Sequence, residues 1–237
     1  MMTTTQGNSE LEKLKSLYKK TIKIFGPPGT GKTHTLIEKV LKGHLKKGIL
    51  PSEMAFLSFT NKAVNTAVAR ATEAFPLYTT EDFYRFKTLH TYCRRYFSED
   101  VFDPKDCTID FALQTKIIKT SDQRLADDSF LYKDWSLGIY SKSRNLCIEP
   151  SEAYKKESYK KDSLDVFFRK IKTYEHYKKH GGEKPFIDFD DMIGRAINEI
   201  DFPALKVLII DEAQDFTPLQ WSVIYKMADK VKRIYLA

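Results

Sequence analysis

Apolar positions along the 237-residue chain fall alternately into short strand-like runs and helical faces. Leu11, Leu14, Leu17 and Tyr18 recur at helical spacing, and Thr21-Ile22-Lys23-Ile24-Phe25 then alternates like a strand. A glycine-rich turn follows at Gly26 to Gly31, after which Leu36, Ile37, Val40 and Leu41 mark one face of a helix. Pro51 and Ser52 interrupt the chain before a second strand, Met54 to Phe59. A helix is predicted from Asn61 to about Ala74, ending before Pro76. The middle, from about Phe97 to Pro185, is rich in Lys, Asp, Ser and Tyr, and its later half carries Val166, Phe167, Lys170, Ile171 and Tyr174 at helical spacing. Helix (Phe189 to Ile200), buried strand (Lys206 to Ile210), helix (Leu219 to Ala228) and strand (Arg233 to Ala237) complete the chain. This alternation is the grammar of a parallel sheet flanked by helices. The expected fold is therefore α/β, interrupted by a mostly helical insertion.

Composition narrows the class. Hydrophobic residues make up 42% and charged residues 30%, the balance of a soluble globular protein. No apolar run approaches the ~20 residues of a membrane helix, and the polar N-terminus has no apolar core of a secretion signal. Cys93, Cys107 and Cys147 match neither a disulfide framework nor a zinc spacing. Secreted, membrane-spanning and zinc-finger classes are excluded, and a reducing, cytoplasmic compartment with no metal cluster is expected. The net charge of +7 is uneven: residues 1–50 carry ten lysines against three glutamates. Such an excess favours a polyanionic partner through counterion release, or else solvates helix faces.

Gly26-Pro27-Pro28-Gly29-Thr30-Gly31-Lys32-Thr33 satisfies the phosphate-loop pattern G-x-x-x-x-G-K-[ST] at every position. Glycines let backbone N–H groups curl around phosphates, and Lys32 supplies a cation to the β- and γ-phosphates. Thr33 offers a hydroxyl to Mg²⁺, and the following helix presents its positive end. Downstream, Val207-Leu208-Ile209-Ile210 runs into Asp211-Glu212. That order places two carboxylates at the carboxyl edge of a buried parallel strand, where α/β ligand sites lie. Asp211 suits a Mg²⁺ site, directly or through water, and Glu212 suits the activation of an attacking water.

With the phosphate loop, Asp211-Glu212-Ala213-Gln214-Asp215 makes the chain resemble the UvrD/Rep/PcrA family of superfamily 1A DNA helicases. Phe56 to Ala63 resembles that family's motif Ia, Lys87 to Cys93 motif Ib, Phe186 to Met192 motif Id, and Lys206 to Trp221 motif II with its continuation. The resemblance implies a RecA-like P-loop NTPase domain, 1A, over residues 1–97 and 186–237, with residues 98–185 as the helical insertion, 1B. It implies ATP and Mg²⁺ as cofactors and a motor acting on single-stranded DNA and single-strand/duplex junctions. Nucleotide contacts are then expected at Gly26, Pro27, Pro28, Gly29, Thr30, Gly31, Lys32, Thr33 and His34. Metal ligands are expected at Thr33 and Asp211, and a catalytic set at Glu212, Lys32 and Gln214, with Gln214 linking the nucleotide site to the DNA face. Phe59 and Phe189 become platforms for bases, while Thr60, Asn61, Thr88 and His90 contact the strand backbone. Without the family, Phe59 and Phe189 read more readily as core aromatics and His90 as a core histidine. Tyr154, Tyr159, Phe167, Phe168, Tyr174 and Tyr177 interleave with lysines in the insertion, which suits nucleic acid or the insertion's own core.

In the family, the strand ending at Leu236-Ala237 continues into a second RecA-like domain (2A, with 2B) whose arginines meet the γ-phosphate. The 237-residue chain alone is thus expected to bind nucleotide and single strands weakly, to hydrolyse ATP very slowly, and not to unwind. Two other functions compete: an ATPase that translocates without unwinding, and a nucleotide-gated DNA-binding module without useful turnover. The intact Glu212 weighs against the latter.

Overall fold

The computed structural model describes residues 15–27, 29–99, 101, 134–181 and 185–237. Leu11, Leu14, Pro28 and Cys107 lie outside these residues. Five strands, β1 (Thr21–Lys23), β2 (Met54–Ser58), β3 (Phe86–Thr88), β4 (Leu205–Ile210) and β5 (Val231–Leu236), form one sheet in the order β1-β5-β4-β2-β3. Every pairing is parallel. All five residues of β2 are buried, as are all of β4 except Lys206, which accounts for their nearly unbroken apolar sequence. Phe56 faces Ile209 in register and its ring stacks on Phe86 at 5.8 Å.

Helices cover the sheet. Residues 15–20 are helical ahead of β1, and α1 runs from the glycine-rich turn as Lys32–Thr35, a π-helical turn Leu36–Leu41, and Lys42–Lys46. It buries Leu36, Ile37, Leu41 and Leu45 against Phe56, Phe86 and Ile209. α2 (Asn61–Ala74) starts at Thr60, whose Oγ1 accepts the Ala63 N–H at 3.2 Å, and it buries Val64, Ala67 and Ala71. α3 (Leu89–Arg94) directly follows β3.

The sequence expectation differs from the structure at several element boundaries and at β3; β2, for instance, ends at Ser58 and not Phe59. β3 has no periodic signal, because three residues are too few to show one; pairing with β2 creates it. β1 stops at Lys23 instead of reaching Phe25, as the chain leaves the sheet edge for the glycine turn. The final strand begins two residues earlier than expected, at Val231.

The described residues divide into two compact units. One holds the sheet and comprises the chain up to Tyr92, Asp201–Phe216 and Trp221–Ala237. The other comprises Cys93–Ile200 and Thr217–Gln220. It contains α4 (Trp135–Asn145), α5 (Pro150–Lys156), α6 (Leu164–His180) and α7 (Phe189–Glu199). The last helix, α8 (Pro218–Asp229), begins in this stretch and continues into the sheet unit.

The second unit has a small core of Ile139, Ala153 and Phe167, packed by Trp135, Ile148, Tyr154 and Ile171. Of the six interleaved aromatics, Phe167, Tyr174 and Tyr177 are buried and Tyr154 half-buried, whereas Tyr159 and Phe168 are exposed. Packing thus claims four of them. Cys93 is buried, which pushes its thiol up to about 12 and makes it inert. Among the described residues, no helix is long and apolar enough to cross a membrane.

Phe56→Ala would open a cavity at the centre of the sheet unit. Denaturant unfolding should show a loss of about 3–5 kcal/mol. A loss below about 1 kcal/mol would contradict this account of the core.

Candidate nucleotide site

Parallel strands deliver all their carboxyl ends to one edge of the sheet, so the segments following β1, β4 and β2 meet there. After β1 the backbone turns through Gly29 and Gly31, with φ of +79° and +81°, values that residues with a side chain rarely adopt. At Gly26 the constraint is space: a Cβ there would lie 2.4 Å from Thr30 Oγ1. Thr30 closes the turn by donating from its Oγ1 (2.7 Å) and its N–H (3.3 Å) to the Pro27 carbonyl. Lys32 folds back over the loop, its Nζ donating to the carbonyls of Gly26 (3.1 Å) and Pro27 (3.4 Å). α1 begins immediately with no side-chain cap, leaving its first N–H groups directed at the loop.

The acidic partner arrives from the middle of the sheet. Asp211 directly follows β4, its N–H donates to Leu57 O at 2.9 Å, and it is only 1% exposed. Thr33 Oγ1 donates to both carboxylate oxygens, at 2.9 and 3.1 Å. Burial pushes the Asp211 carboxyl up from its ordinary range, opposed by this hydroxyl. A buried carboxylate and a hydroxyl converging on one point fit Mg²⁺, which takes hard oxygen ligands and keeps several waters. Thr33 and Asp211 would hold the ion, and the ion would supply charge neutralisation to the phosphates.

Glu212 adopts the left-handed conformation, φ +52° and ψ +49°, a strained geometry that is concentrated at functional sites. Gln214 Nε2 donates to Glu212 Oε2 at 2.6 Å. The Ala213 N–H donates to Ala237 O at 2.6 Å, tying this turn to the end of β5, the strand between β1 and β4. A cavity of about 630 Å³ opens here, walled by Gly26, Lys32, Ala213 and Gln214 and by two aromatics, Phe25 and Trp221. Neither aromatic is singled out by the motif reading. Phe25 is 85% exposed, and an apolar residue immediately before the glycine turn was the available signal.

The residues expected to meet a DNA strand fall into two groups. Phe59, Thr60 and Asn61 follow β2, Thr88 ends β3, where it pairs in register with Ser58, and His90 lies in the first turn of α3. Phe59 is 53% exposed, so it is not a core aromatic. Thr60 Oγ1 is engaged as the α2 cap, and Thr88 Oγ1 shares a 2.9 Å hydrogen bond with Thr91 Oγ1. Phe189 opens α7 in the second unit and is half-buried.

A parallel sheet feeding a glycine-rich phosphate loop, with a buried aspartate bonded to that loop's threonine, defines a RecA-like P-loop nucleotide-binding domain. The chain belongs to the UvrD/REP helicase family: it matches the N-terminal domain of these helicases over residues 7–237. It is 26% identical over 234 residues to the "Probable DNA helicase II homolog" of Mycoplasma capricolum subsp. capricolum, a match covering 86% of this chain and 30% of that protein. It is 24% identical over 238 residues to the ATP-dependent DNA helicase PcrA of Staphylococcus epidermidis, covering 89% of this chain and 30% of the relative. The Staphylococcus aureus PcrA is 23% identical over 233 residues, with the same coverage. The chain thus spans 30% of the length of these relatives.

Lys32→Ala removes a charged donor from the loop and no packing. Mg·ATP-analogue binding should weaken by at least ~10-fold, the scale of one charged hydrogen bond, with thermal unfolding unchanged. Retained affinity in a folded variant would overturn the phosphate-loop role.

Proposed function

We propose that this chain is the ATP-binding and strand-contacting portion of a motor that moves on single-stranded DNA and separates duplex at junctions. The observation that carries the proposal is the convergence of Thr33 on Asp211, with Glu212 next in the chain, at the same sheet edge where Phe59 stands exposed. Lys32 and the backbone from Gly26 to His34 bind the phosphates of ATP, and Thr33 and Asp211 hold Mg²⁺. Glu212 accepts the proton of the attacking water, and Gln214 orients Glu212. Phe59 and Phe189 stack on bases, while Thr60, Asn61, Thr88 and His90 meet the sugar-phosphate backbone. The chain by itself binds single strands weakly and turns over ATP slowly. Unwinding requires a second RecA-like domain whose arginines stabilise the transferring phosphate.

The test is a titration of the 237-residue chain against a fluorescent oligothymidine at several salt concentrations, with and without a non-hydrolysable Mg·ATP analogue. Binding should weaken as salt rises, because phosphate contacts release counterions, and should respond to nucleotide. Phe59→Ala should weaken it by ~5- to 100-fold, the scale of one lost base stack. Nucleotide binding with no affinity for oligothymidine would refute the strand-contacting role. A second measurement isolates the chemistry. Glu212→Gln should bind Mg·ATP normally yet lose single-turnover hydrolysis, and normal hydrolysis would mean that another group is the base.

A further inference from the structure

α7 begins in an unusual way. Asp188 caps it, Oδ1 accepting the Asp191 N–H at 2.7 Å, and Asp191 returns the bond, Oδ2 accepting the Asp188 N–H at 3.1 Å. Such a reciprocal box commonly pairs a serine or threonine with a glutamate. Here both members are aspartates with Asp190 between them, so three carboxylates crowd four consecutive residues around Phe189. The helix dipole favours acids at this end only weakly. Like charges held this close and buried would instead drive one another to protonate or to move apart.

Two cations from other helices of the same unit offset that for Asp188, while burial and the Asp188 charge still push the Asp191 carboxyl up. Arg144, on α4, places Nη1 3.1 Å from Asp188 Oδ1 and 3.0 Å from Asp191 Oδ1. Its Nη2 lies 2.8 Å from Asp188 Oδ2 and 3.0 Å from Asp190 Oδ2, so one planar fork reaches all three acids. Lys178, on α6 and 3% exposed, donates to Asp191 Oδ2 at 2.6 Å and Asp188 Oδ2 at 3.2 Å. The Tyr174 hydroxyl donates to Asp188 Oδ2 at 2.9 Å, and Asp190 takes further bonds from Ser141 Oγ (2.6 Å) and Asn145 Nδ2 (2.8 Å). Burial alone would raise the Asp188 carboxyl, but the Arg144 and Lys178 charges outweigh it and hold Asp188 well below the usual carboxylate range.

A single polar cap is enough to start a helix, and buried ion networks add little net stability compared with apolar packing. What this network does achieve is geometric. The residues on both sides of Phe189 are tied to α4, and Asp188 to α6 as well, so the backbone that carries the ring is fixed. We propose that Arg144, backed by Lys178, is a positioning residue that locks the first turn of α7 and thereby sets the Phe189 ring for stacking on a nucleic-acid base. This rests on Phe189 being a base platform, as proposed above.

The test is a double-mutant cycle read by oligothymidine affinity of the 237-residue chain. Arg144→Lys keeps the charge and loses the fork; Phe189→Ala removes the platform. Phe189→Ala should weaken binding ~5- to 100-fold, and Arg144→Lys alone by at least about threefold. In the Phe189→Ala background, Arg144→Lys should cause no further loss. An equal loss in both backgrounds, or wild-type binding by folded Arg144→Lys, overturns the positioning role. Wild-type binding by Phe189→Ala, with Phe59→Ala weakened, overturns the platform itself and the positioning role with it. Should Arg144→Lys fail to fold, Tyr174→Phe replaces it in the cycle. That variant removes one hydroxyl from Asp188, and it should show a smaller loss that likewise vanishes in the Phe189→Ala background.

Discussion

The hydrogen bond from Thr33 to Asp211 joins two segments 178 residues apart, and the arrangement of the site follows from it. It exists because both segments leave parallel strands at the same edge, one from β1 and one from β4, with β5 between them. Had either strand run antiparallel, its following loop would lie at the opposite end of the sheet. Asp211 is further fixed by the bond from its N–H to Leu57 O, so the carboxylate sits at a depth set by the β2–β4 register. The two strands buried most deeply are therefore the ones that determine where Asp211 stands.

That rigidity supports a less favourable feature beside it. Glu212 occupies a left-handed conformation that costs about 1–3 kcal/mol in a residue with a side chain. The bond from Ala213 to the end of β5 and the contact from Gln214 hold the turn in place. A carboxylate on a strained turn thus stands next in the chain to the buried Asp211.

Much of this was legible from residue order. The phosphate loop reads directly because each position answers a local demand: positive φ at Gly29 and Gly31, absence of a Cβ at Gly26, a cation at Lys32. The β4 strand and Asp211 read because an apolar run ending in acids has few other interpretations in an α/β chain. β3 was not legible, since its three residues become a strand only through the neighbour they pair with. The exposure of Phe59 could not be separated from core packing until the end of β2 was placed. Least legible was the cluster around Asp188, because Arg144 and Lys178 come from two other helices, and the spacing of charges along the chain says nothing about which will meet.

The most direct test of the central claim is the Mg²⁺ dependence of nucleotide binding. A fluorescent ATP analogue would be titrated into the wild-type chain and into Asp211→Asn, each with Mg²⁺ and with chelator. If Thr33 and Asp211 form the metal site, Mg²⁺ tightens wild-type binding by about tenfold or more, equivalent to ~1.4 kcal/mol. Asp211→Asn then keeps the metal-free affinity and loses that gain. An Asp211→Asn chain that keeps the full Mg²⁺ effect would contradict the account.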